Sequence, residues 1–140
     1  MLSSLELAER LRVAVARLAR RLRQQSLGGL TPSQTSVLFT LDNHGEMTMG
    51  RLAEQESITG PSATGIVGRL VDKGLVDRSP NPKDQRSALV SITPDGRRLL
   101  QERREMRTAY LADRVDNLSA AERRLLIEAV EILERMHETP

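Results

Sequence analysis

The sequence predicts a mainly α fold in which a small lobe of three helices and a β-hairpin lies between long N- and C-terminal helices. Three observations predict it. Apolar residues recur at spacings of three and four along both ends of the chain, as on one face of a helix. The pairs Thr31-Pro32 and Thr93-Pro94 mark abrupt helix starts on either side of the middle. Near residue 80 two short β-prone runs flank a polar, proline-bearing segment.

The first helix is expected from about Ser4 to Gln25. Leu7, Leu11, Ala14, Leu18 and Leu22 form its apolar stripe, with Val15 beside them. Ser3 and Glu6 have the spacing of a capping box, and Gly28-Gly29 ends the helix. Thr31-Pro32 opens the second helix, with Gln34 completing another box and Val37, Leu38 and Leu41 facing inward; Asn43-His44-Gly45 stops it. Thr48 caps a short third helix carrying Met49, Leu52 and Ala53, followed by a turn at Glu56-Ser57-Ile58.

A fourth helix runs from Gly60 or Pro61 to Lys73 and ends at Gly74. Leu75–Arg78 and Ala88–Ile92 read as strands, joined by Ser79–Ser87, a segment too long and polar for a tight turn. The fifth helix runs from Thr93-Pro94 to about Val115, with Leu99, Leu100, Met106, Tyr110 and Leu111 as its apolar positions. Ser119 caps the last, with Glu122 three residues on and a stripe of Leu125, Leu126, Ala129, Val130, Leu133 and Met136. Two short helices followed by a hairpin describe a helix-turn-helix with a β-wing. The long terminal helices exceed what so small a lobe can bury, so they ask for another surface.

Composition narrows the function. With 140 residues the chain suits one domain, or one compact lobe plus an extension. It has no cysteine, which excludes disulfides, thiolate nucleophiles, thiol redox switches and cysteine-bound zinc. Phe39 and Tyr110 are its only aromatics, so the core is built from aliphatic residues. No apolar run is long enough to span a bilayer, and Met1–Glu6 lacks the pattern of a secretory signal. The expected address is the cytoplasm, with no membrane partner. A formal charge of +2 does not by itself select nucleic acid; 19 of the 21 basic residues are arginine. Codon bias accounts for most of that skew, with a share for arginine's preference at phosphates.

The motifs around the hairpin are the most specific. Gly74-Leu75-Val76-Asp77-Arg78, Asn81-Pro82-Lys83-Asp84-Gln85-Arg86 and Val90-Ser91-Ile92-Thr93-Pro94-Asp95-Gly96 occur in that order. Together with Leu52-Ala53 and Leu118-Ser119-Ala120-Ala121-Glu122, the chain resembles the MarR family of transcriptional regulators over nearly its whole length. The resemblance implies a winged helix-turn-helix lobe over 31–93, with 1–30 and 94–140 forming the dimerisation helices of a two-fold homodimer on double-stranded DNA. It names no operator and no ligand.

In such readers the second helix of the pair enters the major groove. In the fourth helix, Ala63, Ile66, Val67, Leu70 and Gly74 share the side that should pack on the lobe. Pro61, Gly65, Gly68 and Asp72 lie opposite, with Ser62, Arg69 and Lys73 on one edge and Thr64 on the other. Two mid-helix glycines cost roughly 1 kcal/mol each relative to alanine. They either keep an outer face bare for close approach to DNA or serve packing. Ser62 and Thr64 are the candidates for base-edge contact, and both are permissive hydrogen bonders. Specificity is therefore expected to be shared with DNA shape.

On the wing, Arg86, Lys83 and Arg78 are candidates for DNA contact, Arg86 in the narrow minor groove. Asp84 is expected to hold Arg86 or Arg78 through a charge-assisted bond, an arrangement the resemblance also implies. Otherwise the cluster is a solvated loop. Ser33, Gln34 and Thr35, at a helix start, either donate to phosphate or simply cap the helix. Leu7, Leu11, Leu118, Leu125, Leu126, Val130 and Leu133 are the dimerisation candidates, although the stripes alone also allow an intramolecular bundle.

Enzymatic chemistry is not expected. His44 and His137 are the only histidines, and no phosphate-binding loop or metal-ligand spacing is present, so neither cofactor nor metal is expected. A protein-interaction module and a non-specific architectural DNA-binding protein remain alternatives. The resemblance also implies a possible small-molecule effector between lobe and dimer helices, without identifying pocket residues.

Overall fold

The computed structural model describes residues 1–26 and 28–138. Leu27, Thr139 and Pro140, which fall within the expected dimerisation segments 1–30 and 94–140, lie outside the described residues. The described elements run α1 (Ser4–Gln25), α2 (Pro32–His44), β1 (Met47–Thr48), α3 (Met49–Glu56), α4 (Gly60–Asp72), β2 (Val76–Asn81), β3 (Asp84–Ile92), α5 (Pro94–Asp116) and α6 (Ala120–Glu138).

Hydroxyl caps set where the helices begin. Ser3, Thr31 and Ser119 each accept the amide three residues on, from Glu6, Gln34 and Glu122, whose side chains reach back to the cap amide. Thr48, Thr59 and Thr93 cap α3, α4 and α5 in the same way. Backbone hydrogen bonding to these caps lowers the carboxyl pKa of Glu6 and Glu122 below the ordinary glutamate value. Gly45 and Gly74 follow α2 and α4 with φ of 77° and 73°, the left-handed region open to glycine.

The three strands form one antiparallel sheet in the order β1-β3-β2. Met47 pairs with Val90, and β2 runs against β3 from Val76↔Ile92 to Pro80↔Ala88. Two expectations are corrected here. The wing has a third, two-residue strand. The segment Ser79–Ser87 is also not an open loop: β2 continues to Asn81, which pairs with Asp84 across Pro82-Lys83, with a register irregularity after Pro80. Asn81 explains why so polar a stretch can turn tightly. Its Oδ1 accepts the Lys83 amide at 3.0 Å and its Nδ2 donates to the Ser87 hydroxyl at 3.0 Å.

Val37, Leu38, Leu41, Leu52, Val67, Leu70, Val76 and Val90 are fully buried and make the lobe's core. Leu100 of α5 joins it, so the first turns of that long helix pack with the lobe. Glu56 ties α3 to α2 by accepting the hydroxyls of Ser36 and Thr40. By contrast, α1 and α6 contain no buried residue. No helix among the described residues is long and apolar enough to cross a membrane.

Candidate nucleic-acid interface

The turn between α3 and α4 is shaped by Ser57, in the left-handed conformation at φ 56°, and by Thr59. Sequence reasoning passed over Thr59. The signal was the threonine ahead of Pro61, the same cap-and-proline logic that marks α2 and α5. Its Oγ1 accepts the Ser62 amide, and also donates to the Ser62 hydroxyl at 2.9 Å. Ser62 is thereby fixed at the exposed start of α4.

The two faces of α4 separate as expected. Ala63, Val67 and Leu70 are buried, and Ile66 is half-buried. Gly74 departs from that set: it is exposed and lies beyond the helix, because its positive φ turns the chain out of α4. Pro61, Ser62, Thr64, Gly65 and Arg69 are exposed and Gly68 is half-buried. A Cβ built on Gly65 or Gly68 meets nothing within 4 Å. These glycines therefore leave room on the lobe surface and are not required by packing inside the protomer.

Ser33, Gln34, Pro61, Ser62, Gly65 and Arg69 line one hollow of about 530 Å³ between the start of α2 and the outer face of α4. Within it Ser33 is exposed. Gln34 is buried, with its Oε1 accepting the Thr31 amide, and the Thr35 hydroxyl donates to the Thr31 carbonyl. Gln34 Oε1 and the Thr35 hydroxyl are therefore already bonded to the Thr31 backbone. Lys73 is also committed, donating from Nζ to the Gly29 carbonyl at 2.6 Å.

On the wing, Arg78 and Arg86 line a second hollow with Pro80 and Ala88. Among the described residues neither guanidinium has a hydrogen bond or ion pair. The expected charge-assisted bond from Asp84 is not present. Instead Asp84 Oδ1 accepts the Arg86 backbone amide at 3.0 Å. A carboxylate two residues before an amide closes a local Asx-type turn, and this fixes the wing backbone while leaving the arginine side chain free. Lys83 lines a third hollow, of about 720 Å³, with Arg51 of α3. Arg51 was not singled out from sequence, since a lone arginine on a short helix carries no pattern.

A helix-turn-helix, an exposed second helix with a bare face, and a wing with two uncommitted arginines define the winged helix-turn-helix class of DNA-binding transcriptional regulators. Residues 30–88 match the family model described as MarR family. An uncharacterised HTH-type transcriptional regulator of Mycobacterium leprae is 41% identical over 140 residues, covering 99% of this chain and 98% of that protein. An HTH-type transcriptional regulator of Mycobacterium tuberculosis is 40% identical, covering 94% of this chain and 92% of its own. Among solved structures, a putative transcriptional regulator of Pseudomonas aeruginosa superposes with a TM-score of 0.78 at 31% identity, over 97% of this chain and 96% of that one. The chain belongs to the MarR family.

Proposed function

We propose that the protein is a homodimeric repressor that reads a pseudo-palindromic operator, with α4 in the major groove and the wing against the adjacent minor groove. The observations that carry this reading are the free guanidinium groups of Arg78 and Arg86 on the wing and, on the same lobe, the bare outer face of α4. Ser62 and Thr64 face the bases, Pro61, Gly65 and Gly68 permit the approach, and Arg69, Lys83 and Ser33 contact the backbone. None of these is an arginine fork at the start of α4, so DNA shape carries part of the specificity.

Two such lobes on one face of B-DNA sit about one helical turn, roughly 34–36 Å, apart. The apolar faces of α1 and α6 support a two-fold interface through Leu7, Leu125, Leu126, Val130 and Leu133, which one protomer leaves exposed, together with the half-buried Leu11 and, just ahead of α6, the half-buried Leu118. A dimer seated across a promoter occludes it, which favours repression in the cytoplasm. A small molecule relieves repression only by favouring a lobe arrangement that misfits the operator. In this reading the protein catalyses no reaction.

Selection of bound sequences from random duplexes, followed by titration at two salt concentrations, tests the reading. Paired half-sites and a steep loss of affinity with salt are expected. Equal affinity for every fragment would leave only an architectural DNA-binding role. Salt-independent behaviour without DNA selection would leave the protein-interaction module.

A further inference from the structure

The reading lobe meets α5 at three joints. One is close packing: a Cβ on Gly96 would collide with the Leu75 carbonyl oxygen and lie 2.7 Å from the Ile92 side chain, so the first turn of α5 rests directly on the chain leaving α4. Thr93 reinforces that contact by donating its hydroxyl to the Gly74 carbonyl at 2.7 Å. The second joint is Leu100, which enters the lobe's core. The third is polar and straddles Leu100. Asp42 of α2 stands 3.6 Å from Arg97 Nε through one carboxylate oxygen and 3.4 Å from Arg104 Nη2 through the other.

These two ion pairs differ in kind from their neighbours. Arg98–Asp95 and Arg12–Glu9 join residues three apart on one helix and fix no relation between elements. Both α2–α5 pairs converge on a single carboxylate, whose side chain is only 23% exposed. Arg97 and Arg104 are seven residues apart, about two turns of helix. A group held at two points along α5, with Gly96 as the near contact, resists rotation of the lobe about that contact. Half-exposed pairs of this type add little stability. Their effect is on angle.

We propose that Asp42 is a positioning residue for DNA binding: by engaging Arg97 and Arg104 together it sets the angle at which the lobe, and with it α4, is presented relative to the long helices. The inference rests on the dimeric reading above, because in a two-fold dimer the brace acts twice and its loss alters the separation of the two α4 helices.

The test uses the full chain and a duplex obtained by selection, with variants of that duplex in which the half-sites are moved closer or farther by one and two base pairs. Asp42→Asn is expected to weaken binding to the selected spacing by about three- to tenfold. It is also expected to flatten the preference among spacings, while binding to an isolated half-site stays unchanged. Asp42→Glu should retain most of the wild-type preference. If Asp42→Asn does not fold, Arg97→Gln with Arg104→Gln replaces it and is expected to give the same flattening. A folded variant of either kind with the wild-type spacing profile would overturn the brace and leave the operator reading intact. A wild-type protein that selects no paired half-sites would overturn the operator reading and the brace with it.

Discussion

Asp84 separates two chemical roles that look the same in the sequence. A carboxylate two residues before an arginine can hold the guanidinium or the backbone, and here it holds the Arg86 amide. The distinction has consequences. An asparagine side chain keeps an oxygen acceptor, so Asp84→Asn should retain the wing's shape and bind DNA at least as tightly as wild type, having lost a negative charge. Asp84→Ala removes the acceptor and should bind more weakly. Equal losses for both, measured by anisotropy, would show that the charge is what matters. Arg86→Ala tests the side chain itself and should cost roughly 1–3 kcal/mol of DNA binding. Unchanged affinity in the folded variant would reject the wing as a reader.

At the scale of elements, the glycines of α4 give a sharper test than their sequence positions alone. With nothing within 4 Å of either Cβ, Gly65→Ala and Gly68→Ala should stabilise the free protein, by up to about 1 kcal/mol each, because alanine is the better helix former. Thermal denaturation checks that direction. Gly65→Arg and Gly68→Glu should leave the fold intact and block docking; full DNA binding by both would show that this face does not meet the duplex. The helices were legible because their caps are local: Ser3, Thr31, Thr48 and Thr93 announce themselves within three residues. The inner face of α4 was legible from period alone. The wing was less so. Its turn depends on Asn81 bonding to Lys83 and Ser87, and β1 exists only because Met47 and Thr48 find Val90 and Leu89 some forty residues away. Sequence alone shows neither the burial of Gln34 nor the distant Gly29 carbonyl to which Lys73 donates.

For the whole molecule the decisive feature is what a single chain leaves uncovered. Leu125 and Met136 of α6 are 65% and 58% exposed, and Leu7 of α1 is 57% exposed. A bundle closed within one chain would have buried these stripes, yet neither helix has a buried residue. Large contiguous apolar surface on a folded chain marks an interaction site. A second copy is the occupant that the two-fold operator reading requires. Ending the chain after Leu118 removes α6 but leaves the lobe's core, including Leu100, complete. The shortened protein should therefore retain a cooperative melt and sediment as a monomer. It should also bind an isolated half-site while losing the cooperative gain on a paired site, since joining two lobes converts the second contact into an intramolecular one. A truncated protein that still sediments at twice its protomer mass would transfer the interface away from α6. One that cannot melt cooperatively would show that α6 contributes to the fold of its own chain.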